Sequence, residues 1–145
     1  MSKTKAKEAR EVLRQKLDER GLSMTSQRAA VYDYLGRVSH HPTAEEIFLQ
    51  IKGELPKISL ATVYKNLEAL AACGAITKLG YGDASARYDV RTDRHYHARC
   101  TGCGRIWDVE AGADAAAFER LKPPAGFRVE EARLEVVGRC RDCAR

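Results

Sequence analysis

Four of the five cysteines in this 145-residue chain fall into two Cys-x-x-Cys pairs, Cys100/Cys103 and Cys140/Cys143. Two such turns brought together offer four thiolates in a tetrahedron, the closed coordination of a structural Zn²⁺. The alternative is unpaired thiols or a redox disulfide pair, and stable disulfides suit an oxidising compartment. Residues 1–10 are polar and basic without an apolar segment, so no secretory signal is expected and the cytoplasm is the expected location. Zinc here would staple the last residues to the middle of the chain, and losing it should unfold the C-terminal part. The fifth cysteine, Cys73, ends an apolar helical run and reads as a small buried hydrophobe.

Just before Cys100 stand His95 and His97, one residue apart. Side chains alternate along a strand, so both imidazoles share one face of it. Spacing alone leaves open whether they bind a metal or are ordinary strand residues. If they do bind one, the stretch 95–103 holds nitrogen donors for one ion beside sulfur donors for another.

The elements that must position these residues differ between the two halves. In the first, residues 6–20 show helical periodicity through Val12, Leu13 and Leu17, and Gly21 ends the run. A second helix starts near Thr25 and carries Val31, Tyr32 and Leu35 inward. Thr43-Ala44-Glu45-Glu46 is a capping box opening a third, with Ile47, Phe48 and Ile51 as its apolar face. Ser59 caps a fourth over residues 60–73, closed by Gly74. Its apolar positions are Leu60, Val63, Leu67 and Leu70, and its other face is expected to show Thr62, Tyr64, Lys65 and Asn66. That set suits a DNA major groove, although a plain solvated face has a similar composition. Two strands, 75–79 and 86–90, follow across a turn-rich connection. Helices followed by a hairpin describe a winged helix, with Lys78 and Arg87 able to reach phosphates from the wing. DNA is the preferred partner.

After residue 90 the pattern changes to strands at 95–100, 105–109 and 127–137, with a helix at 114–121 ended by Pro123-Pro124. So small a unit buries little alone and gains area by forming a homodimer, which also suits twofold recognition of a palindrome. The expected fold is α+β: an N-terminal winged helix-turn-helix domain, residues 1–90, followed by a small α/β dimerisation domain with the zinc site, residues 91–145. The net charge of +5 is permissive for nucleic acid without being diagnostic. Residues 1–28 concentrate it, with eight Lys/Arg against four Asp/Glu. Hydrophobic residues make up 44% of the chain, and no run approaches the roughly 18 apolar residues of a membrane span. Hydroxyl and carboxylate groups are not arranged as a nucleophile with its base, which argues against an enzyme such as a metal-dependent hydrolase. A zinc-ribbon interaction module would leave the fourth helix and the wing without a role.

Taken together, His41-Pro42-Thr43-Ala44-Glu45-Glu46-Ile47, Ser59-Leu60-Ala61-Thr62-Val63-Tyr64-Lys65-Asn66-Leu67, His95-Tyr96-His97 and the two cysteine pairs resemble the ferric-uptake-regulator (Fur) superfamily, in order and over nearly the whole chain. The run Tyr81-Gly82-Asp83-Ala84-Ser85-Ala86-Arg87-Tyr88-Asp89 most resembles its peroxide-sensing branch. The resemblance implies a dimeric, metal-dependent repressor binding a palindromic operator. It places a regulatory Fe²⁺ or Mn²⁺ on His41, Asp89, His95, His97 and Asp108, with His41 or His95 as the ring that peroxide oxidises. His40 is adjacent, but the match before Pro42 favours His41. Arg94 stands where many relatives carry an acid or a histidine, which leaves Asp93 a reserve ligand only. The alternative is a Fur- or Mur-type regulator of iron or manganese supply.

Overall fold

The computed structural model describes residues 3–80, 85–92, 95–110, 121–130 and 134–145. Among them, α1 (Lys3–Asp18), α2 (Ser26–Arg37), α3 (Ala44–Ile51) and α4 (Leu60–Ala72) precede five short strands: β1 (Thr77–Leu79), β2 (Arg87–Asp89), β3 (Tyr96–Cys100), β4 (Ile106–Val109) and β5 (Glu135–Gly138). No helix among these residues is long and apolar enough to cross a membrane. The chain separates into two compact units, Met1–Thr92 and Asp93–Arg145.

The first unit forms where caps and periodicity agree. Thr25 Oγ1 accepts from Arg28 N at 3.1 Å, and Ser59 Oγ accepts from Thr62 N at 3.1 Å. The capping box on α3 is complete, with Glu46 N donating to Thr43 Oγ1 and Thr43 N donating to Glu46 Oε2. Helix α1 begins before its first apolar position because Lys3, Ala6 and Lys7 are good helix formers that need no core partner. Leu13 and Leu17 of α1, Val31 of α2, Ile47 of α3, and Val63, Leu67 and Leu70 of α4 share one buried cluster, which Tyr88 of β2 completes. Strands β1 and β2 pair antiparallel, with Lys78 opposite Tyr88, and so form the expected hairpin. The tip residues 81–84 lie outside the described residues.

The second unit is a three-stranded sheet in the order β4-β3-β5, antiparallel between β3 and β4 and parallel between β3 and β5. The strand expected over 127–137 is cut down to Glu135–Gly138. Its register explains why: Glu135 aligns with His97 and Gly138 with Cys100, so residues 127–130 would run past the start of β3. Those residues form no strand, and Phe127 and Val129 stay exposed. The helix expected at 114–121 lies outside the described residues except for Leu121, which is exposed and irregular.

Candidate metal centres

The four paired cysteines come together, their sulfurs all within 4.8 Å of one another. Cys100 ends β3, and β5 leads directly to Cys140. Thr101 N donates to Gly138 O at 2.8 Å, which ties the two cysteine turns to adjacent strands. Each turn closes on itself, Gly104 N to Cys100 O at 2.9 Å and Cys143 N to Cys140 O at 3.1 Å. Gly102 carries the tightest requirement, because a Cβ there would meet Cys143 Cβ at 2.8 Å.

The donor set fits Zn²⁺. Cys103 Sγ and Cys140 Sγ are 3.8 Å apart, and sulfurs about 2.3 Å from a tetrahedral zinc stand about 3.8 Å from each other. That separation is far too long for a disulfide, and all four thiols are free. The backbone amides of Cys140, Cys103 and Gly102 pull the Cys100 thiol down to about 6; two of these contacts, from Cys140 N and Gly102 N, are 3.3 Å long. Hydrogen bonding to Cys140 and Cys100, together with burial, pushes Cys143 up to about 12. Sulfurs this crowded cannot all ionise without a cation between them, which is what a divalent ion supplies.

Imidazole and carboxylate donors occur in both units. In the first unit the segment 41–43 runs alongside β2: Tyr88 N donates to Pro42 O at 3.1 Å, and Thr43 bridges to Arg87. This brings His41 Nε2 to 3.6 Å from Asp89 Oδ2, with both side chains about 95% buried. Asp89 Oδ1 accepts from Arg91 N at 2.9 Å, which orients the carboxylate.

In the second unit the β3–β4 register sets His97 directly opposite Asp108. His95 Nε2 lies 2.9 Å and His97 Nε2 3.6 Å from the same oxygen, Asp108 Oδ1. The two rings meet edge to face with centroids 4.5 Å apart. Two imidazoles and a carboxylate converging in this way are the donor set of non-haem Fe²⁺ sites, and Mn²⁺ accepts the same atoms. Among the described residues no sulfur joins these donors.

The residues expected to face DNA divide. Tyr64 and Lys65 lie on the exposed side of α4, and Thr62 is half-buried beside Ser59. Lys78 is exposed and pairs with Glu68 at 3.1 Å. Asn66 departs from the expectation: it is buried, because three residues after Val63 and four before Leu70 is a place on the apolar stripe. Arg87 also faces inward, its guanidinium bonded to His41 O at 2.9 Å and its side chain only 12% exposed. Glu45 is a further participant whose partner the sequence does not reveal. It accepts from Tyr64 Oη at 2.6 Å, and this bond pushes the phenol up to about 12 and lowers the carboxyl.

Comparison with known proteins places this arrangement in context. The profile of the ferric uptake regulator family matches residues 19–137. The peroxide operon regulator of Bacillus subtilis (strain 168) is 39% identical over 145 residues, which is 100% of this chain and 97% of that one. The crystal structure of the Campylobacter jejuni peroxide stress regulator is 35% identical, with a TM-score of 0.63 over 81% of this chain and 88% of that one. A zinc-bound manganese uptake regulator is 29% identical, with a TM-score of 0.71 over 88% of this chain and 98% of that one.

Proposed function

The chain belongs to the ferric uptake regulator family, and from that premise we propose that it is a metal-dependent DNA-binding repressor that senses hydrogen peroxide through a histidine ligand of bound iron. It is a regulator, not an enzyme. One observation carries the reading: donors are sorted by type, with thiols in one cluster and imidazoles with carboxylates elsewhere. A permanent Zn²⁺ and an exchangeable Fe²⁺ or Mn²⁺ can then occupy one chain without competing for ligands.

In this proposal residues 1–90 bind DNA through α4 and the wing, and residues 91–145 form the dimerisation domain around the four-cysteine zinc. Leu134, Val136 and Val137, exposed on and beside β5, support a homodimer, since an uncovered apolar surface on so small a unit favours burial against a second copy. His41 and Asp89 of the first domain and His95, His97 and Asp108 of the second would hold the regulatory ion. Binding across the two domains fixes the spacing of the recognition helices in the dimer for one palindromic operator in the cytoplasm. Reciprocity then requires operator DNA to tighten ion binding by the same factor.

Fe²⁺, when bound, supplies the electrons that activate peroxide. The chain's part is to hold His41 and His95 where one of them is oxidised. The net change is one oxygen atom added to a ring and one water formed per peroxide. An oxidised ring is a poorer ligand, so the ion leaves and the repressor releases its DNA.

The test uses an operator selected from random DNA with the Mn²⁺-loaded protein. Binding should fail after H₂O₂ only for the Fe²⁺ form, with a mass gain of one oxygen at His41 or His95. Binding that ignores both metals would overturn the reading. Metal-dependent binding that survives peroxide in both forms would select the second reading, a supply regulator, which the 29% identity to the manganese uptake regulator keeps in view.

A further inference from the structure

Arg87 sits where the wing meets the segment carrying His41. Nη1 donates to the His41 carbonyl oxygen at 2.9 Å and lies 3.5 Å from Glu46 Oε2, with the side chain 12% exposed. Backbone contacts reinforce the junction, since Thr43 bridges to Arg87 and Tyr88 N reaches Pro42 O. Glu46 Oε2 also accepts from Thr43 N, so one carboxylate serves both the arginine and the cap of α3. The neighbouring carboxylate, Glu45, turns the other way and holds Tyr64 on the exposed face of α4. The first turn of α3 therefore touches the His41 segment on one side and the recognition helix on the other.

We propose that Arg87 is the positioning residue that couples an ion at His41 and Asp89 to the pose of Tyr64 on the recognition helix. The inference rests on the metal-dependent DNA-binding reading above. The ring of His41 lies against Asp89 and its carbonyl accepts from Arg87. An ion that draws on the ring therefore also fixes the carbonyl. Arg87 transmits that constraint to Glu46 by a charge-assisted hydrogen bond to the His41 carbonyl and an ion pair with the carboxylate at 3.5 Å. Glu46 fixes the helix cap, and Glu45, one residue earlier on the same turn, fixes the phenol. A lysine at position 87 would bring a more strongly hydrated ammonium on a flexible stem in place of the guanidinium Nη1 that meets both oxygens.

The test measures operator affinity without metal and at saturating Mn²⁺, so that weaker ion binding does not enter the ratio. Coupling between sites is typically about 5- to 150-fold. Arg87→Met should bring the ratio most of the way to one, and Arg87→Lys should recover only part of it. Glu46→Gln, which keeps the capping box, should also lower the ratio and carries the test if Arg87→Met fails to fold. Hydrogen exchange gives a readout without DNA: Mn²⁺ should slow exchange at the amides of Glu46 and Ile47 in the natural protein and not in Arg87→Met. Folded variants that keep the natural ratio and the natural exchange response would overturn the coupling alone. A natural ratio of one would overturn the repressor reading, and the coupling with it.

Discussion

At the scale of the residue, the cysteine cluster depends on a position with no side chain. A methyl at Gly102 would lie 2.8 Å from Cys143 Cβ and 2.9 Å from its sulfur, so the turn would have to open. Gly102→Ala should weaken zinc by tenfold or more in a chelator competition while leaving the helical signal of the first unit unchanged. The same cluster gives zinc a pH dependence of known sign. In the folded cluster backbone amides pull the Cys100 thiol down to about 6, whereas hydrogen bonding to the neighbouring cysteines pushes Cys143 up to about 12. Zinc must therefore expel protons on binding, and its affinity should rise from pH 6 to pH 8; calorimetry in buffers of different ionisation enthalpy counts the protons. The cysteine pairs were readable in the sequence because coordination chemistry restricts zinc ligands to few residue types and spacings, whereas the His and Asp ligands came only with the family resemblance. Asn66 and Arg87 were not readable, because a polar side chain on a stripe edge, or beside a carbonyl 46 residues away, takes its place from tertiary contacts that no local pattern encodes.

At the scale of the element, caps and registers matter most. Helices α2, α3 and α4 were legible because Thr25, Thr43 and Ser59 cap them and the apolar periodicity agrees, α1 through its periodicity alone, and the wing through the turn-rich connection between its strands. Ser59→Ala should lower the stability of the first unit by about 1 kcal/mol, read in a urea titration, and Ser59→Gly by only a few tenths. Thr62 bonds the same hydroxyl, so the alanine variant should also loosen the start of α4, where base contacts are proposed. The long last strand was misjudged for a reason that belongs to this scale. Alternation at Phe127 and Val129, and again at Leu134 and Val136, signals strand, but strand length follows the partner available, and β3 starts only at Tyr96.

At the scale of the whole molecule, the two units should respond differently to loss of zinc. Stripping it with a strong chelator should melt the sheet of β3, β4 and β5 and leave the α1–α4 core folded, giving a partial loss of circular dichroism rather than a single collapse. Val136→Glu on the exposed face of β5 should shift the protein from dimer to monomer in sedimentation, because it places a charge in the apolar surface proposed for the second copy. Both ligand clusters share one further property. His41 and Asp89 meet only through the pairing of residues 41–43 with β2, and the sulfurs meet only through the parallel pairing of β3 and β5. Such distant pairings close late in folding, after the local helices. A nascent, truncated or misfolded copy therefore has no assembled site of either kind. Zinc and the regulatory ion would be held firmly only by chains that have completed these pairings, so occupancy by metal doubles as a certificate that the chain has folded.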